Sequence, residues 1–146
     1  MHLPVVLTIA GSDNSCGAGA QADLKTISAM GGYALTAVTC VVAEVRGKVS
    51  AIHPIPPEIV AEQIKLSLEA FPVAAIKTGM LYSSEIIEVV LDVLGSFPGS
   101  TKPHLVVDPV MVATSGDALL KDDAVELYRK RLIPQATVIT PNLDEV

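Results

Sequence analysis

At 146 residues the chain is long enough for one domain around one core, and with 50% apolar and 18% charged residues it does not read as disordered. A net charge of −6, with ten Lys and Arg scattered along the chain, argues against a nucleic-acid partner, which would need a basic face. No window reaches the roughly 18–20 consecutive apolar residues of a membrane span, and the N-terminus has no basic region leading to a cleavage site.

Two cysteines, Cys16 and Cys40, do not make a disulfide framework, and the expectation is a soluble cytoplasmic protein. Aromatic residues are scarce and Trp is absent, so Ala, Val, Ile and Leu carry the core. That aliphatic bias suits a parallel sheet covered by helices on both faces.

The first strand is expected over residues 4–10, an almost continuous apolar run. A polar loop follows over 11–17, then a helix over 19–30 with Ala22, Ile27 and Met30 on its apolar stripe and Gly31-Gly32 at its end. Residues 33–43 read as a strand rich in Thr and Val, and 48–53 as a short strand. Pro56-Pro57 opens a helix to about Ala70. A strand over 73–78 leads to a helix over 83–94 capped by Ser83 or Ser84. After a loop over 96–103 come a strand over 104–110 ending in a turn, a helix from Lys121 or Asp122 to Leu132, and a last strand over 136–142.

This alternation implies βαβ units, right-handed crossovers and a mostly parallel sheet. In such sheets ligands sit beyond the carboxyl ends of the strands. The unusual polar stretches fall there: 11–19, 44–48, 78–80, 108–116 and 140–145. The chain ends just past its last strand, where a covering helix would normally follow, so it is expected to be a fragment of a longer domain.

Several motifs have competing readings. Gly17, Gly19 and Ala22 fit a G-x-G-x-x-A dinucleotide fingerprint, with Glu44 in the place of the ribose-binding acid. However, residues 11–16 intervene between strand and glycines, so a nicotinamide-dependent oxidoreductase is the distant alternative. No Gly-Lys-Ser/Thr marks a P-loop, and Lys25 is expected to face solvent. The backbone N–H groups of 17–19 remain available for an anion or a hydroxyl. Asp23 is either a favourable charge near a helix N-terminus or a ligand-binding group. His2, His53 and His104 show no metal-ligand spacing. Cys16 reads as a small filler or a reactive thiol. Lys77-Thr78-Gly79-Met80 reads as a strand end and turn, with Met80 in the core. Asp108-Pro109 is an Asx-type turn or a metal-associated carboxylate. Asn142 and Glu145, three apart, suit one face of a starting helix, as a cap or as Mg²⁺ partners through water.

Taken together, "LTIAGSDNSCGAGAQADLKT", "KTGML", "VVDPVMVATSGDALL" and "LIPQATVITPNLDEV" resemble the hydroxymethylpyrimidine/phosphomethylpyrimidine kinases of thiamine biosynthesis, in the ribokinase superfamily. The segments occur in family order and span the chain. The resemblance implies a three-layer ribokinase-like α/β/α fold with a mostly parallel sheet, of which residues 1–146 are the N-terminal portion. It implies ATP- and Mg²⁺-dependent phosphorylation of 4-amino-5-hydroxymethyl-2-methylpyrimidine and of its monophosphate, by a homodimer. Gly11, Asp23, Glu44, Met80 and Val107 would wall the pyrimidine pocket, Asn142 would lie toward ATP, and Asp108 and Glu145 toward Mg²⁺.

Three departures accompany the resemblance. Cys16 stands where the family commonly has Gly, a substitution that fits if the backbone there needs no positive φ. Glu44 stands where a Gln typically pairs with the ring, offering acceptors only. The Gly-Thr-Gly-Cys type segment that carries the anion hole and the residue activating the hydroxyl is absent, so the chain alone is expected to be inactive. A pyridoxal kinase of the same superfamily and a non-catalytic pyrimidine-binding protein are the alternatives.

Overall fold

The computed structural model describes residues 3–97, 99, 101–111, 120, 122–143 and 145. Six strands form one sheet in the order β3-β2-β1-β4-β5-β6. All neighbours are parallel except β2 and β3, which pair antiparallel.

β1 (Val5–Asp13) lies at the centre, between β2 (Tyr33–Val45) and β4 (Val73–Thr78). Its continuous apolar sequence suits a strand covered on both faces. Leu7 and Ile9 enter the main core with Val60, Ile64, Ile87 and Val90. The intervening Thr8 turns to the other face, where its hydroxyl donates to Asp23 of α1 (Gly19–Ala29) at 2.6 Å. The helices therefore form two layers around the sheet. α2 (Pro57–Ala70), α3 (Ser84–Gly95) and α4 (Asp122–Leu127) cover one face, and α1 covers β1 and β2 on the other.

α2 starts at a proline, whose missing N–H costs nothing in a first turn, and buries Val60 and Ile64. α3 starts behind Ser83, whose hydroxyl accepts from the Ile86 N–H, and buries Ile86, Ile87, Val90, Leu91 and Val93 along one stripe. α1 is a weaker helix in this respect. Ala20 is its buried residue, whereas Met30, expected on the apolar stripe, is 83% exposed.

Boundaries differ from the sequence reading at the functional end. β1 runs past Ala10, because Ser12 and Asp13 continue the ladder against Val41 and Val42 after a bulge. The loop expected over 11–17 therefore begins after Asp13, and Gly11 is a strand residue. β2 likewise runs to Val45 and turns through Arg46-Gly47 into β3 (Lys48–Pro54), with Gly47 at φ +79°. The polar stretch over 44–48 is thus a hairpin tip.

β5 (His104–Val107) stops short of 110 because Asp108 is the last residue to donate across the ladder and Pro109 has no N–H. β6 (Val138–Ile139) is two residues long rather than seven. α4 begins at Asp122 and continues as a single π-helical turn (Tyr128–Leu132) and a 3₁₀ turn (Ile133–Gln135), three residues beyond the expected end. The 112–119 part of the 106–120 motif, Lys121 as a helix start, and His2 lie outside the described residues.

The chain leaves β1 toward β2 and β3, then returns past β1 to β4, β5 and β6. The order reverses between β1 and β4, and a crevice opens at their carboxyl ends.

Candidate active site

A cleft of about 280 Å³ lies at that reversal, lined by residues from five strand ends: Gly11 and Asp13 at the end of β1, Val42 and Glu44 on β2, Lys77, Gly79 and Met80 at β4, Asp108 and Val110 after β5, and Asn142 and Glu145 after β6. A larger, open hollow of about 1170 Å³ lies between the starts of α2 and α3. Its walls are Ile, Pro and Tyr with a few Ser and acidic groups, and no cation among the described residues lines it. The paired charges identify the smaller cleft as the candidate site.

Asp13 organises the β1–α1 loop. Its carboxylate accepts from Ser15 N–H at 2.7 Å, Ser15 Oγ at 3.0 Å, Gly17 N–H at 3.1 Å and Ala18 N–H at 2.9 Å. Burial disfavours its charge, but these hydrogen bonds from Ser15, Ala18 and Gly17 outweigh burial and hold the carboxyl below the ordinary range. Two N–H groups expected to be open to an anion are therefore occupied by the protein's own carboxylate. A dinucleotide pyrophosphate would meet negative charge there, which removes the oxidoreductase reading.

The loop closes tightly. Gly19, at φ +61°, sits against the Gly11 carbonyl, which any Cβ would overlap. Cys16 also has positive φ, +59°, so the condition under which a residue other than Gly fits there without strain is not met. Lys25, exposed on α1, donates to the Cys16 carbonyl at 2.7 Å and so ties the loop down. Asn14 Oδ1 accepts from the Glu44 N–H at 2.7 Å, fixing the loop to β2.

Asp23 is not among the cleft-lining residues. It accepts from Thr8 Oγ1 at 2.6 Å and from Lys77 Nζ at 3.0 and 3.1 Å. This is neither a simple helix-dipole charge nor a direct ring contact. Lys77 also reaches Asp108 Oδ2 at 3.3 Å, so one ammonium links α1, β4 and the end of β5. Val107 is wholly buried and belongs to the core beneath the cleft. Met80, read by residue type as core and by the resemblance as a pocket wall, is half-buried and lines the cleft, its carbonyl accepting from Thr39 Oγ1 at 2.6 Å.

On the opposite wall, burial raises the Asp108 pKa; Lys77 counters this only in part, and Glu145 and Asp23 add to the rise. Burial also raises Glu44, with Asp13 as the second cause. Glu145 and Asn142 cap each other. Glu145 Oε2 accepts from Asn142 N–H at 3.0 Å, and Asn142 Oδ1 accepts from Glu145 N–H at 3.1 Å. Glu145 Oε1 accepts from Met111 N–H at 3.3 Å, which brings the chain after β5 to the chain after β6. Among the described residues no three His, Cys, Asp or Glu side chains form a metal cage. Asp108 and Glu145 on one wall fit a Mg²⁺ that arrives on phosphates and keeps its waters. His53 and His104 are exposed on other surfaces.

The cleft thus gathers Gly11, Glu44, Met80, Asp108, Asn142 and Glu145, and leaves Asp23 and Val107 behind its walls. Sequence reasoning missed Asp13, Lys77 and Tyr128. For Lys77 a signal existed, since a lysine inside an apolar strand requires a partner. Burial raises the Tyr128 phenol strongly, and its hydroxyl donates to the Asp108 carbonyl at 3.0 Å.

The sequence profile of the phosphomethylpyrimidine kinases matches residues 13–146. A hydroxymethylpyrimidine/phosphomethylpyrimidine kinase of Streptomyces coelicolor is 48% identical over 143 residues, which cover 98% of this chain and 52% of that protein. The crystal structure of a phosphomethylpyrimidine kinase from Clostridium difficile superposes with a TM-score of 0.88 at 45% identity, over 97% of this chain and 60% of that one. An ADP complex of Bacillus subtilis pyridoxal kinase gives a TM-score of 0.84 at 36% identity, over 99% of this chain and 52% of that one. The chain therefore spans roughly half the length of these relatives. With its three-layer α/β architecture and its cleft at the reversal of strand order, the chain belongs to the phosphomethylpyrimidine kinase family.

Proposed function

We propose that the protein carrying this chain transfers the terminal phosphoryl group of ATP to the hydroxymethyl group of 4-amino-5-hydroxymethyl-2-methylpyrimidine, and then phosphorylates the monophosphate, in thiamine biosynthesis. The observation that carries this reading is one cleft joining a wall of Gly11, Val42 and Met80, with Glu44 as acceptor, to a wall of Asp108, Asn142 and Glu145 suited to the cation that accompanies phosphates. Gly11 and Met80 pack against the ring, and Glu44 accepts from its exocyclic amine. Asp23 acts through Lys77, and Val107 supports the floor.

Asp108 and Glu145 face Mg²⁺ through its waters, and Asn142 lies on the ATP side. Mg²⁺ supplies charge neutralisation of the phosphates, which is most of what phosphoryl transfer asks of its surroundings. The reading makes the protein a cytoplasmic enzyme; among the described residues no helix is long and apolar enough to cross a membrane. It also makes it a homodimer, supported by the exposed Val41 and Val45 on the β2–β3 hairpin.

A second reading, phosphorylation of pyridoxal, is favoured by the Bacillus subtilis superposition, at lower identity than the pyrimidine kinase. The test compares ATP-dependent phosphorylation of hydroxymethylpyrimidine, its monophosphate and pyridoxal by the product of the complete gene. Turnover of both pyrimidines with poor turnover of pyridoxal supports the proposal; the reverse preference sinks it.

A further inference from the structure

Asp108 is built into the cleft through its backbone as much as through its carboxylate. Its N–H donates to the Thr78 carbonyl at 3.0 Å, continuing the sheet one residue past β5. Its carbonyl accepts twice, from the Val110 N–H at 2.9 Å and from the Tyr128 hydroxyl at 3.0 Å. Pro109 stands between, with a fixed φ and no donor of its own.

Tyr128 is wholly buried and begins the π-helical turn that follows α4. Such turns are rare and concentrate at functional sites. The ring fills the core, a task that a phenylalanine would perform equally. A buried phenol requires a hydrogen-bond partner. The Thr78 hydroxyl, at 3.5 Å, is too distant to be a strong one, and the carbonyl of Asp108 is the partner in reach. The cost of burying the hydroxyl thus serves one residue of the cleft.

We propose that Tyr128 is a positioning residue for the reaction, its hydroxyl holding the Asp108 peptide and thereby aiming the Asp108 carboxylate into the cleft. This rests on the phosphoryl-transfer reading above. The ring-binding groups Glu44 and Met80 belong to β2 and the end of β4, outside the peptide that Tyr128 holds.

The test uses the product of the complete gene, with Tyr128→Phe compared against Val90→Ala. Val90 is wholly buried on α3, lines no part of the cleft, and its truncation destabilises without touching Asp108. Misplacement of about 1 Å in a reacting arrangement costs up to about 100-fold in rate. The expected result for Tyr128→Phe is a kcat lower by about 10- to 100-fold, with the KM for the alcohol changed by no more than about twofold. Val90→Ala lowers the thermal midpoint at least as much and leaves kcat unchanged.

Hydrogen exchange at the Val110 amide, which shares the Asp108 carbonyl, gives a readout independent of turnover. It is expected to accelerate in Tyr128→Phe and not in Val90→Ala. An unchanged kcat, a fall that Val90→Ala reproduces, or unchanged Val110 exchange overturns the proposal. Absence of wild-type turnover on every alcohol would instead sink the phosphoryl-transfer reading, while the exchange comparison still decides whether Tyr128 holds the peptide.

Discussion

The Lys77 ammonium on β4 lies 3.0 Å from the Asp23 carboxylate on α1, bridging the line where the strand order of the sheet reverses. Both side chains are mostly shielded, at 23% and 19% exposure, and Lys77 reaches on to Asp108. Among the described residues, removing the ammonium leaves Asp23 with Thr8 and deprives Asp108 of its cation. Lys77→Met is expected to cost about 1–3 kcal/mol, less than a fully buried pair because water still reaches both groups. In a double-mutant cycle with Asp23→Asn, urea unfolding should show a coupling of about 1–2 kcal/mol. Additive effects would mean that the contact contributes nothing.

Asp13 satisfies three backbone N–H groups and a hydroxyl that the local sequence leaves without partners. Asp13→Ala should cost about 2–3 kcal/mol at neutral pH, more than loss of an ordinary helix cap. The folded pKa lies below the ordinary 3.8, so this stability is present above that value and is lost as pH falls through the folded pKa. Urea midpoints of wild type and variant should be far apart at neutral pH and converge in strong acid.

Cys16 occupies the left-handed region without being glycine. That conformation costs an L-residue about 1–2 kcal/mol, partly offset by the extra chain entropy that glycine loses on folding. Cys16→Gly is therefore expected to stabilise the chain by about 0.5–1 kcal/mol. Guanidinium unfolding measures it; a destabilised variant would show that the thiol, rather than the backbone, governs this position.

Glu44 carries the opposite sign of linkage from Asp13. Burial and the neighbouring Asp13 raise its pKa above the ordinary 4.5, so its contribution is fully favourable below that value and is lost as pH rises through the folded pKa. Glu44→Gln should stabilise the chain at neutral pH, with the gain vanishing below pH 4.5. In the complete gene product the same change should alter the KM ratio between pyrimidine and pyridoxal, since an amide both donates and accepts. An unchanged ratio would remove Glu44 from ring recognition.

Much of the architecture was legible along the chain. The continuous apolar run of β1 indicated a central strand, and the stripe of α3 behind Ser83, with Pro57 at the head of α2, marked two of the helices that build the core. These signals are local: burial on one face or both, and the start of a helix, depend on residues within a turn or two. The convergence of Gly11, Glu44, Met80, Asp108, Asn142 and Glu145 was also legible, because parallel topology sends every such strand end to one edge of the sheet.

The partners of the polar side chains were decided elsewhere. Ser12 and Asp13 read as loop until the ladder with Val41 and Val42 extends β1, and Asp23 reads as a helix-end charge until β4 brings Lys77 beside it. Val107, expected on the cleft wall, lies buried beneath it because exposure at a strand end depends on what packs over it. Tyr128 meets the Asp108 carbonyl at the point where α4 gives way to a π-helical turn. A hydrogen-bond partner twenty or fifty residues away is set by which strands lie side by side. Here that order is β3-β2-β1-β4-β5-β6, and nothing in the local periodicity of the chain encodes it.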